Sequence, residues 1–164
     1  NTFMGNHADH VVAGLVFGLG YWLLYLSRFD PFFGAVFILG VLLGIANGDG
    51  PGHSFNLSPD MDKFLKKQFN ILGPRSWIFH SPVVPLVIIS VKNQFLSEFN
   101  LAFPLVDALL WGFVFGYLLH VIQDAEHPDE WEGGAWSGYL SAALCIGVLA
   151  YFFFLNPFWL KGLA

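Results

Sequence analysis

His120 and Asp124 stand four residues apart in the run Leu118-Leu119-His120-Val121-Ile122-Gln123-Asp124. On a helix that spacing puts both side chains on one face. An imidazole and a carboxylate so placed make a bidentate platform for Zn, Mn or Fe, and zinc is the metal expected. The same spacing also suits a hydrogen-bonded pair at an interface. His120 is flanked by apolar residues, and ionisable groups at membrane depth are costly and usually functional. His80 precedes Ser81 and Pro82, a helix-start pattern whose backbone N–H groups also favour an anion; it is either a ligand or a capping histidine. Asp60 and Asp62 in Pro59-Asp60-Met61-Asp62 are metal ligands or the acidic first turn of the next helix. His10, beside Asp9, is open in the same way. His53, His127, Asp49 and Glu126 are looser candidates, and Asp129, Glu130 and Glu132 suit a solvated loop.

The elements that must position these residues follow from composition. Of 164 residues, 55% are hydrophobic and only 12% charged, against roughly 25% charged in soluble domains. Mean hydropathy is +0.59. A soluble fold of this size needs far more surface charge, so the chain is expected to be a single integral-membrane domain over residues 1–164. Seven Lys and Arg against twelve Asp and Glu leave a net charge of −5, the wrong sign for phosphate contacts, so no nucleic-acid partner is expected. A lone cysteine, Cys145, excludes a disulfide-built module. Asn1–His10 has no basic stretch followed by a small-residue cleavage site, so no cleavable signal peptide is expected.

Five apolar runs are candidate spans: Val11 to about Ser27, Phe32 to about Asn47, Pro82 to Val91 with a stop near Lys92, Phe103 to Ile122, and Trp136 to about Leu155. The predicted fold is therefore all-α, a polytopic helical bundle with a long interfacial loop over residues 48–77. Pro31 forces the first break. Ser81 is the expected N-cap of the third span, with Pro82 at its first position. Gly14, Gly18, Gly112 and Gly116 place small residues four apart for close helix packing. Within the long loop, Lys63 to Phe69 forms a short basic amphipathic stretch suited to lying on headgroups.

Five spans put all six histidines and nine of the twelve acids on the long-loop face; Asp30, Glu98 and Asp107 are the exceptions. Four separate segments thus bring a ligand-type residue to one face, which is what a multidentate metal site needs. Lys and Arg divide four to three between the two faces, too evenly to orient the bundle.

The order of these pieces resembles the YdjM-like, LexA-regulated type of membrane-bound metal-dependent hydrolase. That pattern opens with a His shortly before a Gly (His10 to Gly14) and continues with Leu-Pro-Asp-Ile-Asp (Leu57-Ser58-Pro59-Asp60-Met61-Asp62). It proceeds to His-Arg-Gly-x-Thr-His-Ser (Arg75-Ser76-Trp77-Ile78-Phe79-His80-Ser81) and closes with Gly-Tyr-x-x-His-x-x-x-Asp (Gly116 to Asp124). The ligand order is also similar to that of the zinc-dependent phospholipase C and nuclease superfamily. The resemblance implies a bacterial inner-membrane protein with His10, Asp60, His80, His120 and Asp124 on the metal and Asp62 as base or orienter. Metal-activated water would then attack a phosphoester or lipid headgroup. Arg75-Ser76-Trp77 stands where the family has His-Arg-Gly, Phe79 replaces Thr, and residues 48–54 are an insertion. Loss of a histidine implies one metal where the family has two, or a degenerate site.

The alternative is a non-catalytic accessory subunit of a larger membrane complex, contacting lipid, pigment or other subunits and retaining a degenerate metal site. Its motive is the 18% aromatic content, with runs such as Tyr151-Phe152-Phe153-Phe154. A transporter fits less well. Asp107 is the one clear acid inside a span, and no inverted repeat is visible. Asp107 also lies about 20 Å along its helix from His120, too far to share a ligand shell.

Overall fold

The computed structural model describes residues 5–27, 29–45, 61–72, 75–98, 103–127, 131 and 133–157. Among these the chain is helix and turn, with no strand. Apolar runs of this length bury their backbone polar groups best within one segment, which is what a helix does. Helix α1 (Gly5–Tyr21) passes without a break into a π-helical turn (Trp22–Leu26). It is followed by α2 (Pro31–Ile45), α3 (Met61–Phe69), α4 (Val83–Glu98) and α5 (Pro104–Asp124). Last comes α6 (Ala135–Leu149), which also ends in a π-helical stretch (Ala150–Leu155).

Three of these segments, Asp9–Leu26, Pro104–Asp124 and Ala135–Leu155, are long and apolar enough to cross a membrane. Pro31–Ile45 and Val83–Phe95 are shorter apolar helices. Each of the five expected spans therefore coincides with an apolar helix of the bundle. Local chemistry sets several boundaries. Asp30 Oδ1 accepts the Phe32 N–H at 2.8 Å, capping α2, with Pro31 at the first helical position. Ser81 Oγ accepts the Val83 N–H at 3.3 Å, the cap expected for α4.

Two boundaries depart from expectation. Helix α1 begins by Gly5, ahead of Val11, so His10 is carried on a helix rather than on a leading strand of coil. Helix α4 continues past Lys92 to Glu98. The reason lies across the bundle: the Lys92 ammonium pairs with Asp107 Oδ1 of α5, so the charge is neutralised in place and does not end the helix.

The core is organised around α5. Gly40 and Gly44 of α2 face Gly112 and Gly116 of α5 in a reciprocal zipper. A Cβ on Gly40 would run into the Leu109 carbonyl oxygen, and one on Gly44 into that of Phe113. Conversely, Gly112 faces the Phe37 carbonyl oxygen and Gly116 that of Val41. Such approach permits Cα–H···O contacts and dense packing where no hydrophobic force drives helices together. The sequence flagged Gly112 and Gly116 but not their partners on α2. Beside the zipper, Tyr21, Phe37, Phe115 and Phe153 form a buried aromatic cluster. There the Tyr21 hydroxyl donates to the Phe153 carbonyl at 3.0 Å, in the wide turn where the regular i→i−4 ladder is interrupted.

Contacts between helix ends define a single polar face. The start of α1, the end of α2, the turn before α4, the end of α5 and the turn before α6 all meet there through His10, Ile45, His80, Asp124 and Trp131. Successive apolar helices therefore alternate in direction, as five spans require.

Candidate metal centre

Tyr117, His120 and Asp124 occupy one stripe of α5 at spacings of three and four. Each is buried, Asp124 at 4% exposure and His120 at 1%. The Tyr117 hydroxyl donates to the Phe79 carbonyl, which seats the 75–81 turn, and with it His80, on α5. Sequence reasoning gave Tyr117 only a place in a motif; its task is to hold that turn.

His120 Nδ1 lies 3.2 Å from the Ile45 carbonyl oxygen. A carbonyl only accepts, so the favourable contact requires the proton on Nδ1. In the neutral ring Nε2 then presents a lone pair, and it faces Asp124 Oδ2 at 3.3 Å. Two acceptors at that distance need a cation between them, a proton or a metal. A histidine whose far nitrogen is fixed by a backbone carbonyl is the usual form of a metal-ligating imidazole.

His10 completes the group. Its Nε2 is 3.9 Å from Asp124 Oδ1, and its ring meets that of His120 edge-on with centroids 4.9 Å apart. His10, His120 and Asp124 each offer one donor atom, all within 4.8 Å of one another and all buried. Such a group could hold a metal ion.

His80 and Asp62 stand behind this group. His80 Nε2 is 3.1 Å from Asp124 Oδ2 and its Nδ1 is 3.1 Å from Asp62 Oδ2. Asp62 is wholly buried and its Oδ2 also accepts the Ser76 N–H at 2.6 Å. Distances fit hydrogen bonds, but Asp124 Oδ2 and both His80 nitrogens lie off the line such bonds need. His80 lies in the turn before α4. Burial works against its charged form, yet the Asp124 and Asp62 carboxylates on either side outweigh that and push its pKa up to about 9.

Arg75 and Trp131 close the site. Arg75 donates from Nη1 to the His127 carbonyl at 2.8 Å, and its Nη2 lies 3.4 Å from Asp124 Oδ1. It does so from a left-handed backbone (φ 52°), which costs free energy in a non-glycine residue and clusters at functional sites. Trp131, 4% exposed, donates from Nε1 to the Asp124 carbonyl at 3.3 Å and packs edge-on against His80 at 5.4 Å.

Of the residues singled out by sequence, His10, Asp62, His80, His120 and Asp124 are brought together. Asp60, His53, Asp49, Asp129, Glu130 and Glu132 lie outside the described residues. Glu126 and the His127 side chain are exposed, and the His127 carbonyl accepts from Arg75 at the site. Trp131 carried no signal as a site residue because a tryptophan in a polar loop has many explanations. Fold and site together define a membrane-compatible helical bundle with a His/Asp group able to hold a metal ion. No family model, no curated protein and no solved structure matches the chain.

Proposed function

We propose that the chain is a membrane-embedded, metal-dependent hydrolase of the YdjM-like type, with zinc as its metal and a phosphoester or lipid headgroup as substrate. The observation that carries the metal is the His120 geometry: Nδ1 lies 3.2 Å from the Ile45 carbonyl oxygen, which calls for the proton there and leaves Nε2 to face a carboxylate at 3.3 Å. His10, His120 and Asp124 supply the donors. The ion would provide Lewis acidity and a water acidic enough to attack near neutral pH. The chain's own residues do the rest. His80, poised between Asp62 and Asp124, moves a proton at Nε2, and Asp62 with the Ser76 amide fixes the ring. Trp131 excludes bulk water, which strengthens every charge interaction inside.

Metal analysis of the purified protein, wild type against His120→Ala, tests the first half. A bis(p-nitrophenyl) phosphate assay with and without zinc tests the second. Stoichiometric metal lost in the variant, together with zinc-dependent turnover, is the expected result; an equally metal-free wild type and variant would end the proposal.

One observation favours the accessory-subunit reading. Asp124 is already compensated from within the chain by Arg75 and His80, as in a site that has lost its ion but kept its carboxylate. Metal binding without turnover in the same assay would select it.

A further inference from the structure

Helix α3 is short and carries three of the chain's seven basic residues, Lys63, Lys66 and Lys67. Its single acid, Asp62, is turned inward with no exposure. The helix is thus a cationic element in a chain of net charge −5. Lys66 is exposed. In the segment that follows it, Phe69, Ile71, Trp77 and Ile78 are each close to half exposed or more. Exposed apolar residues on the long helices face acyl chains and need no explanation. These four differ because they belong to the connection at the polar end of the bundle, where the surroundings are water or headgroups. Basic residues next to exposed aromatic and aliphatic side chains are the composition of an interfacial anchor, and anionic headgroups complement the charge.

The same segment is tied to the buried site at both its ends. Asp62, in the first turn of α3, accepts the Ser76 N–H at 2.6 Å and lies 3.1 Å from His80 Nδ1. Between α3 and Ser76 the backbone takes left-handed conformations at Asn70 (φ 52°), Leu72 (φ 65°) and Arg75 (φ 52°). Asn adopts such a conformation readily after a helix end, but Leu72 and Arg75 hold it only where their surroundings enforce it. Among the described residues, Phe69, Ile71, Trp77 and Ile78 of this segment remain largely exposed.

We propose that α3, with Phe69, Ile71, Trp77 and Ile78, forms a docking surface for anionic lipid headgroups, and that docking holds Asp62 against Ser76 and His80. The surface exists whether or not the site binds metal, so its test uses the intact, metal-free chain. The protein is reconstituted in vesicles of phosphatidylcholine alone and of phosphatidylcholine with phosphatidylglycerol in equal parts. Trp77 depth is read from quenching by brominated acyl chains, taken as the difference between wild type and Trp77→Phe. Hydrogen exchange of the peptide containing the Ser76 amide reports the Asp62 contact.

Phosphatidylglycerol is expected to increase Trp77 quenching and to slow Ser76 exchange. Both increments should vanish in high salt and in the triple variant Lys63→Glu, Lys66→Glu, Lys67→Glu, whose apolar helices still insert. Trp77 quenching that is equal in the two lipids, or unchanged by the charge reversal, overturns the proposal. A change at Trp77 with none at Ser76 overturns the coupling to Asp62. Protection that depends on an added soluble protein, with lipid composition immaterial, assigns the surface to a protein partner and overturns it as well.

Discussion

The Nδ1 nitrogen of His120 lies 3.2 Å from the carbonyl oxygen of Ile45, so the end of one helix sets the protonation of a ring on another. That contact turns Nε2 toward Asp124, and His120→Ala removes both the ring and its orientation. The expected outcome is loss of bound metal with membrane insertion intact, since apolar segments and not the ion drive insertion. Asp62→Asn should be milder. It disturbs a residue behind the metal donors, for which a loss of about 10- to 100-fold in affinity is typical. Competition titration with a zinc chelator would separate the two; equal losses would place Asp62 on the ion itself.

His80 gives the pH dependence. Its pKa is raised from 6.5 to about 9. A raised value means the charged ring stabilises the fold fully below about 6.5 and stops doing so as pH climbs through about 9. The stabilisation at stake is roughly 3 kcal/mol at one pKa unit per 1.36 kcal/mol. Melting of the metal-free protein in chelator should therefore fall between those pH values, and the fall should be absent in His80→Gln. Zinc opposes a proton on His80, so zinc affinity should keep rising above neutrality instead of levelling near pH 7. A flat melting profile from pH 6 to 9 would refute the charged ring.

The glycine zipper predicts an effect at a distance. Gly112→Ala drives a methyl into the Phe37 carbonyl, backbone that cannot turn aside. Overpacking of this kind costs about 1–3 kcal/mol. Because His120 sits two turns further along α5, the displaced helix should also bind metal less well. Gly20→Ala is the control, since a Cβ there meets nothing within 4 Å; it should be neutral or stabilise by up to about 1 kcal/mol. Thermal unfolding in detergent, with metal content measured alongside, checks both.

Asp107 belongs to architecture. It pairs with Lys92 across α4 and α5, at the end of the bundle away from His120. Asp107→Asn should destabilise by leaving a partly buried ammonium without its partner, a loss of about 3–5 kcal/mol for a fully buried pair and less here. Adding Lys92→Met should recover most of it. Metal content should be unchanged in both, and loss of metal in a folded Asp107→Asn protein would contradict the assignment.

The five helices were legible because hydropathy and proline or serine starts are carried by side chains along one segment. His120 and Asp124 were legible for the same reason: their pairing is local. Much of what makes the site was not. Ile45 acts through its carbonyl, and any residue type could have supplied one. Gly40 and Gly44 gain meaning only opposite Gly112 and Gly116, a register no single segment encodes. Arg75 reaches Asp124 from a left-handed backbone that an arginine does not advertise. The third-span boundary failed at Lys92 because its neutralising partner comes from another helix.

The helices that carry the metal donors are not equally stiff. Where α2 meets α5, the approach is backbone to backbone, with no side chain between them to give way. Where α1 meets α2, Gly14 rests on the flexible end of the Ile45 side chain, which a rotamer change can move. His10 lies one turn from Gly14 on this softer helix, while His120 and Asp124 ride the rigid pair. An ion held by all three would therefore come and go through α1. Its residence time would then depend on the side chains of Ile45, Ile38 and Val41 that lie under Gly14 and Gly18, and its geometry on the two helices in backbone contact.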